Sequence, residues 1–309
     1  MKNKILFALI IISIIFTNSC NKSLEVNIPL LVVGNDNSLK LAKWDTRQNN
    51  IEISNEKILT LESFTSNIFW DGENRFILLG DVKEIYKEGI MIDKYRYASN
   101  SILYYKDTML ENIDEKTYRL TKDGKYYTFD LEKAVEESNQ ANVDLDDCAI
   151  SSYIVNGDNI YLLLNRFSNK INSIELIVSK INYKTGDIEI SHIKNNPGYS
   201  PANPPIAYNI LQKENGFIAF NDDVVTFIDL EKLESKEIIT NEELPKITDS
   251  GKPNLYKIGF YKDYLLIMAY QYYKTSDKAY YKLYVLNNSN VFSSINVDME
   301  KEVCLPNFK

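Results

Sequence analysis

The sequence predicts an all-β fold, and three observations predict it. Short segments rich in Val, Ile, Leu, Tyr and Phe recur along the chain, and these residues suit a pleated, half-buried surface. The segments are separated by turns of Asp, Asn and Gly, which tolerate positive φ or bond their own backbone. Helical periodicity is weak, and its best stretch, residues 131–138, is short.

The strand-like segments and the turns between them follow one another in a regular order. The expected strands cover residues 30–33, 76–79, 160–164, 174–181, 217–220, 224–228, 264–269 and 280–286. The expected turns cover residues 34–37, 71–72, 123–124, 156–159 and 186–187. This alternation predicts hairpins rather than isolated strands.

Some of these hairpins repeat in sequence. Four segments share a strand that ends in Asp or Asn, a turn of a few residues and a returning strand; they are residues 39–54, 176–191, 224–239 and 281–292, with Asp45, Asn182, Asp229 and Asn287 at the strand ends. A fifth, poorer copy ends its strand at Asp130, and from there the anchors are 52, 47 and 58 residues apart. Repeats of roughly this period, built from strand pairs, are typical of propeller blades or a related array.

The four good copies resemble the outer hairpin of quinoprotein-like and YVTN-type β-propeller repeats, and Thr185-Gly186-Asp187 is the closest match. The resemblance implies a single β-propeller over residues 28–309; five to seven blades fit the length, and we expect six. Residues 80–120 do not fit the period and are expected to hold an inserted hairpin or long loops. Residues 291–304 are expected to supply a strand beside the first sheet, because an open edge invites pairing with other chains. The alternative architecture is a pair of β-sandwiches.

The N-terminus has the layout of a secretory signal. Lys2 and Lys4 precede an uncharged apolar run, residues 5–16, which is too short to span a bilayer. Ser19-Cys20 resembles the lipobox of bacterial lipoproteins, in which the cysteine thiol receives a diacylglycerol, the chain is cut before it and the new amine is often acylated. The alternative is cleavage after Ser19 by an ordinary signal peptidase, which releases a secreted protein.

The lipobox resemblance implies the organisation of the chain. Residues 1–19 are the expected signal peptide, Cys20 is the lipidation site, and residues 20–27 are a short tether. The protein is then expected on the extracytoplasmic face of the cell membrane, held by its lipid anchor. The proline-rich residues 195–205 are interpreted as a stiff loop inside one domain.

Charge and cysteine content narrow the range of partners. The chain has 35 basic and 43 acidic residues and a net charge of −8; removing residues 1–19 removes two lysines and no acid, which gives −10. No nucleic-acid partner is expected, because such proteins present a basic surface. Cys148 and Cys304 can form a disulfide in an oxidising compartment, although two separately buried thiols are the favoured interpretation.

Sequence motifs for catalysis or metal binding are absent. His192 is the single histidine, and it is interpreted as an exposed strand residue. The chain has no phosphate-binding Gly-Lys-Ser/Thr loop and no Cys-x-x-Cys. Its acid clusters, Asp144, Asp146 and Asp147 and then Asp222 and Asp223, are interpreted as solvated turn carboxylates. We therefore expect no metal and no cofactor.

Two tyrosine-rich runs remain as candidate binding residues. Tyrosine offers a large flat contact with a polar tip, although it is also a favoured strand residue. The ligand-binding candidates are Tyr95, Tyr97, Tyr270, Tyr272 and Tyr273. The leading hypothesis is a non-catalytic, tethered module that binds an envelope protein or glycan. The alternatives are an envelope polysaccharide lyase or hydrolase, which would use funnel carboxylates and tyrosines, and an accessory subunit or sensor of a membrane complex.

Overall fold

The structure is a computed structural model. It describes residues 26–61, 67–70, 75–79, 82–87, 90–96, 102–105, 108–114, 116–132, 148–168, 173–195, 210–213, 215–221, 223–249, 251–272, 279–297 and 302–306. Within this set the backbone alone is described for residues 67, 69, 75–102, 104–105, 148–149, 167–168, 173 and 302. The predicted signal peptide and Cys20 lie outside the described residues.

The described part of the chain is almost entirely β-structure, which confirms the predicted fold class. Its strands are β1 (Asn27–Val33), β2 (Ser38–Asp45), β3 (Asn50–Thr60), β4 (Asn67–Trp70), β5 (Arg75–Leu79), β6 (Val82–Lys87), β7 (Ile90–Arg96), β8 (Ile102–Tyr105), β9 (Thr108–Asn112), β10 (Thr117–Lys122), β11 (Lys125–Asp130), β12 (Cys148–Asn156), β13 (Asn159–Ser168), β14 (Ser173–Asn182), β15 (Ile188–His192), β16 (Ile210–Lys213), β17 (Gly216–Phe220), β18 (Val224–Asp229), β19 (Glu234–Thr240), β20 (Asn254–Tyr261), β21 (Tyr264–Tyr272), β22 (Ala279–Asn287), β23 (Asn290–Val297) and β24 (Glu302–Cys304). All eight predicted strand segments fall within these bounds.

The strands form six four-stranded antiparallel sheets. Sheet I has the order β24-β1-β2-β3, and the others are meanders of consecutive strands: sheet II (β4–β7), sheet III (β8–β11), sheet IV (β12–β15), sheet V (β16–β19) and sheet VI (β20–β23). The last strand of the chain thus pairs with the first, with Cys304 opposite Leu31 and Glu302 opposite Val33. This pairing confirms the prediction that residues 291–304 supply a strand beside the first sheet.

The described residues between 82 and 120 lie almost entirely in regular strands, and the expectation of an inserted hairpin or long loops there was wrong. They contain β6 to β10, which complete sheet II and begin sheet III. The fifth repeat copy was also wrong, because Asp130 ends the fourth strand of its sheet, whereas the other four anchors each end a third strand. Sheet III joins its third and fourth strands through Asp123 and Gly124, whose φ angles are 51° and 70°. This two-residue turn needs no capping side chain, so the sequence pattern vanishes there while the hairpin persists.

Three of the four good repeat anchors act in the same way. One side-chain oxygen of Asp45 accepts the backbone N–H groups of Arg47 and Gln48, and Asn182 and Asp229 bond the corresponding two residues after themselves. Asp and Asn share this use, since each presents an oxygen that bonds the backbone two residues on. Asn287 differs, because Asn288 and Ser289 after it adopt positive φ and form a two-residue turn.

Side chains from neighbouring sheets pack into shared clusters. One cluster joins sheets III, IV and V, and a second joins sheets V and VI. A third joins sheet VI to sheet I through Leu266 and Leu283 on one side and Ile28 and Leu30 on the other. A fourth packs Trp70 of β4 against Leu31 and Leu39 of sheet I. Sheet VI is therefore covered on both faces, by sheet V and by sheet I.

Polar contacts reinforce this packing between sheets III and IV. The Nζ of Lys122 donates to the carbonyl oxygen of Gly157 and to the hydroxyl of Tyr183, each at 3.0 Å. Deeper in, the hydroxyls of Tyr153 and Thr108 lie 3.0 Å apart. These bonds join the first strand of sheet IV to sheet III.

The chain end also contacts sheet VI, where a glycine makes room for it. The N–H of Phe260 donates to the carbonyl of Pro306 at 2.7 Å. A Cβ on Gly259 would lie 2.5 Å from the Cβ of Leu305 and 2.6 Å from the Pro306 oxygen. Glycine therefore permits β20 to approach the segment that follows β24.

The turns between strands and the links between sheets lie at two opposite ends of each sheet. In an antiparallel meander, the turns from first to second and from third to fourth strand share one end, which we call the tight-turn end. Examples there are Gly157-Asp158 and Lys262-Asp263. The opposite, long-connection end carries the second-to-third turn and the links between sheets, such as residues 193–209 and 241–253. The predicted stiff loop, residues 195–205, belongs to one of these links and, apart from Asn195, lies outside the described residues.

The remaining predictions about local structure have mixed outcomes. Leu131 and Glu132 are helical, and the rest of the expected helix lies outside the described residues. Cys304 is buried, at 6% exposure, whereas the side chain of Cys148 is not described, so their pairing stays a question for experiment. His192 is exposed at the end of β15, as predicted.

The segment that follows β24 and contains Leu305 should be essential for stability. Leu305 is 3% exposed and packs in the cluster between sheets VI and I, so Leu305→Ala should lower the free energy of unfolding by about 2–5 kcal/mol. Ile113→Ala is the matched control, because Ile113 is 45% exposed and should cost less than about 0.5 kcal/mol. Urea unfolding measures both. If the two substitutions lower the free energy of unfolding equally, the segment does not have the predicted stabilising role.

The turn at Asp229 should stabilise the fold in a pH-dependent way. Backbone N–H groups of Lys232 and Glu231 hold the pKa of its carboxyl below the ordinary value of 3.8. The folded state then binds fewer protons, so the stabilisation is full above the unfolded pKa and is lost as the pH falls through the folded pKa. Asp229→Ala should cost about 0.5–1.5 kcal/mol per lost hydrogen bond at neutral pH.

Asp229→Asn is the control for this prediction, since Asn182 fills the same role in its own turn. It should cost less than the alanine variant and should remove the acid dependence that Asp229 contributes. Urea unfolding at neutral and at acidic pH measures both effects. An asparagine variant as unstable as the alanine variant would show that the side-chain oxygen does not stabilise this turn.

Candidate functional site

A group of tyrosines lies together at the long-connection end of sheet VI. We call Tyr256, Tyr270, Tyr272 and Tyr281 the tyrosine cluster. Strand pairing brings it together, because Tyr270 lies directly opposite Tyr281 on the neighbouring strand. Tyr256 joins them because the β20–β21 register shifts between Leu255 and Lys257. Such a bulge re-aims a side chain, and here it places Tyr256 against the other two rings.

The four rings are in direct contact. The centroids of Tyr270 and Tyr281 are 5.7 Å apart, with an angle of 32° between the ring planes. Tyr256 and Tyr272 stand nearly perpendicular to Tyr270, at 88° and 85°, with centroids 6.0 and 5.5 Å away. These distances and edge-to-face angles are the ones that aromatic pairs prefer. The cluster is therefore a pre-formed surface.

The outer members of the cluster are open to solvent. Tyr272 is 55% exposed and Tyr256 is 39% exposed, whereas Tyr270 and Tyr281 are half-buried beneath them. Tyr280, on the adjacent position of β22, is 41% exposed. An exposed group of large aromatic side chains marks an interaction surface more often than a scattered single residue does.

The electrostatics of the cluster are close to neutral. Burial raises the pKa of Tyr281, and the phenol groups of Tyr256, Tyr272 and Tyr270 raise it further. Lys257 partly opposes this rise, and its Nζ lies 5.2 Å from the centre of the Tyr256 ring. At neutral pH the Tyr281 hydroxyl is thus uncharged, and it can donate and accept a hydrogen bond.

The candidate residues from the sequence divide into two groups. The structure brings Tyr270 and Tyr272 into the tyrosine cluster, and Tyr273 lies outside the described residues. Tyr95 pairs with Lys83 in sheet II, its side chain is not described, and Tyr97 lies outside the described part of the chain. Cys20, the predicted lipidation site, lies outside it too.

Sequence reasoning missed Tyr256, which lies outside both tyrosine-rich runs. Only the register of β20 against β21 reveals that it meets Tyr270. Tyr284, in contrast, belongs to a tyrosine-rich run but faces the other way. It is fully buried, and its hydroxyl donates to the carbonyl of Pro245 at 2.6 Å, a structural role.

Charged groups elsewhere do not assemble into a centre in the described residues. There, no group of three or more His, Cys, Asp or Glu side chains is placed to hold a metal ion. The Asp223 carboxylate accepts a hydrogen bond from the Asn241 amide at 2.8 Å, while residues 144–147 and Asp222 are not described. The described carboxyls with displaced pKa values are all shifted downward, by turn hydrogen bonds or by a lysine partner; they are Asp36, Asp114, Asp158, Asp229 and Glu242.

An open pocket of about 520 Å³ lies between sheets I and II. Pro29, Lys43 and Glu52 line it from sheet I, and Trp70 lines it from sheet II. Its wall on the side of sheet II is described only at Trp70. The tyrosine cluster is therefore the better defined of the two surfaces.

Comparison with known proteins gives distant likenesses only. No family model and no curated protein matches the chain. Among solved structures, an acylaminoacyl peptidase of Pyrococcus horikoshii is 13% identical, with a TM-score of 0.32 over 49% of this chain and 25% of that one. The tricorn protease is 13% identical (TM-score 0.26; 83% of this chain and 28% of that one). The core factor of S. cerevisiae is 10% identical (TM-score 0.35; 88% and 46%). This chain thus spans less than half the length of each.

Proposed function

We propose that this protein is a lipid-anchored β-propeller of six blades that binds an envelope protein or glycan through its tyrosine cluster. The observation that carries the proposal is the cluster itself: four contacting tyrosines, two of them exposed, on a rigid sheet. Tyrosines of this kind supply large contact area at low entropic cost, as in antibody binding loops.

The sheets and their packing support the propeller. Six four-stranded sheets follow one another along the chain. The first strands of neighbouring sheets are in contact: β8 with β12, β12 with β16, and β16 with β20. Sheet VI packs on sheets V and I at once, which two separate sandwiches would not require. Pairing of β24 with β1 gives the closure that a ring needs.

A propeller would gather the long-connection ends of its sheets on one face of the ring. In that arrangement the tyrosine cluster lies on the same face as the links between sheets, where propeller-like scaffolds carry variable loops. Binding residues are disproportionately found on loops that a rigid scaffold positions. This location supports the choice of the cluster over the pocket between sheets I and II.

The lipid anchor rests on the sequence of the first twenty residues. Among the described residues, no helix is long and apolar enough to cross a membrane. A cysteine with two or more acyl chains holds a protein stably on a bilayer, whereas one chain binds marginally. The resemblance of Ser19-Cys20 to a lipobox supports Cys20 as the point of attachment.

The enzyme alternative requires chemistry of a different kind. A glycoside hydrolase uses two carboxyl groups, of which the general acid has a raised pKa. The described carboxyls with displaced pKa values are all lowered, so this alternative has no general acid to name in that part of the chain. Turnover assays on envelope polysaccharides would detect such an activity directly.

Anchoring should depend on a single thiol. Cys20→Ala should abolish lipid attachment and leave the protein unprocessed or released from the membrane fraction, because the acyl acceptor is lost. Cell fractionation with metabolic labelling by a fatty acid measures this. Cys148→Ala is the matched control and should remain labelled and membrane-bound. Labelling that survives in the Cys20→Ala variant would contradict the proposed anchor.

Partner binding should be confined to the tyrosine cluster. A photo-reactive amino acid replacing Ala279, which pairs with Tyr272 and therefore shares the cluster's face of the sheet, should yield a crosslinked adduct in cells that express the full chain. The same amino acid replacing Tyr126, which is 68% exposed on β11 in another sheet, should not. Gel shifts detect adducts of either protein or glycan.

A second variant tests whether the adduct requires the cluster. Tyr256→Ala with Tyr272→Ala should remove the adduct formed at position 279, because both exposed rings are lost. Adducts of equal yield at positions 279 and 126, or an adduct at 279 that survives the double substitution, would overturn the proposed binding surface.

A further inference from the structure

We infer that the ligand of the tyrosine cluster is a neutral glycan, a chain of uncharged pyranose units, rather than a protein. This inference rests on the proposed function, because it names the chemical class that the same surface would bind. Its basis is the geometry of the four rings, the hydroxyls that they carry and the charge around them.

Two rings of the cluster are inclined to each other by a small angle, and the other two stand nearly perpendicular to one of them. The ring planes of Tyr270 and Tyr281 are inclined to each other by only 32°, with centroids 5.7 Å apart. Tyr256 and Tyr272 are nearly perpendicular to Tyr270 and more exposed than it. A pyranose ring has a face of C–H bonds, and such a face packs on the electron-rich face of an aromatic ring. The exposed rings of Tyr256 and Tyr272 offer such faces to a ligand.

Each of the four contacting rings carries one phenol hydroxyl, so the cluster combines aromatic faces with four polar groups. A hydroxyl can serve as donor and as acceptor. Sugar hydroxyls have the same dual character, so apolar faces beside a group of hydroxyls complement a sugar on both counts.

The charge of the site argues against ionic ligands. Lys257 already occupies a position 5.2 Å from the centre of the Tyr256 ring, and this ammonium would repel a cationic partner. The contacting rings, with centroids 5.5–6.0 Å apart, leave no gap between them for a quaternary ammonium group. Polyanions would be repelled in turn by the net charge of −8. A neutral ligand meets neither penalty.

The surroundings of the cluster also differ from a protein-binding hot spot. Such hot spots consist of anchors that fill well-packed, desolvated pockets. The large hydrophobic side chains that sheet VI exposes are all tyrosines, namely Tyr256, Tyr272 and Tyr280, with no exposed Leu, Ile or Met among the described residues of that sheet. A shallow surface of tyrosines suits a polyhydroxylated chain better than an aliphatic anchor.

Titration of the full-length protein in detergent tests this inference. The probes are neutral gluco-, xylo- and manno-oligosaccharides, with oligogalacturonate as the anionic comparison and an unstructured neutral peptide as the protein-like one. We expect at least one neutral oligosaccharide to bind and the other two probes not to bind. Tyr272→Ala should weaken binding roughly tenfold, as expected for the loss of one stacked ring. Tyr126→Ala, at an exposed tyrosine of sheet III, should leave the affinity unchanged.

A conservative variant separates the rings from their hydroxyls. Tyr270→Phe with Tyr281→Phe keeps both ring faces, so the fold should be retained while binding weakens roughly threefold to tenfold through lost hydrogen bonds. Unfolding curves of each variant verify that loss of binding is not loss of fold.

The outcomes distinguish this inference from the function on which it rests. If no neutral oligosaccharide binds while a protease-sensitive adduct forms at position 279, the partner is a protein, and the glycan inference falls while the binding function stands. If neither binding nor an adduct is found, both fall. Binding of a neutral oligosaccharide that Tyr256→Ala and Tyr272→Ala together do not weaken would also overturn the inference.

Discussion

Sheets I, IV, V and VI of this protein pack apolar side chains on both faces, and the rest of the structure depends on that constraint. In β13, the consecutive residues Leu162, Leu163 and Leu164 are all fully buried although their side chains alternate between faces. In sheet VI, Leu266 packs toward sheet I while Leu265 packs toward sheet V. Two-sided burial obliges each of these sheets to have a neighbour on both faces, and sheet VI meets this requirement with sheet V on one face and sheet I on the other.

The meeting of the two chain ends follows from this requirement. Sheet I takes its first strand from the end of the chain and the other three from its beginning, so its formation brings residues 27 and 304 into one sheet. Gly259 then lets the segment after β24 lie against sheet VI. The strand β24 is short, but the residues around it connect the clusters of sheets I, II and VI, since Val303 and Cys304 belong to different clusters.

The same topology separates stability from recognition. Asx turns and positive-φ turns join third to fourth strands, and Lys122 and Tyr183 connect sheets III and IV near that end. Their side chains are committed to hydrogen bonds that hold turns and sheets in place. The tyrosine cluster lies at the opposite end of sheet VI, where an extended β21 and a bulge in β20 present aromatic rings beyond the packed core. Changes in that surface need not disturb the core beneath it.

The sequence by itself determined the all-β class, the strand segments and the anchors at Asp45, Asn182 and Asp229, because period, strand propensity and turn chemistry are local properties. It also indicated that the chain end would complete the first sheet. Local patterns failed where a different local solution replaced them: Asp123-Gly124 needs no Asx cap, so sheet III forms its hairpin without the repeat anchor. Only the tertiary structure decided that Tyr256 meets Tyr270 and that Tyr284 faces away. Register and bulges set which side chains share a face, and a shift of one residue reverses that choice. Such information depends on pairing between distant segments, which no single stretch of sequence contains.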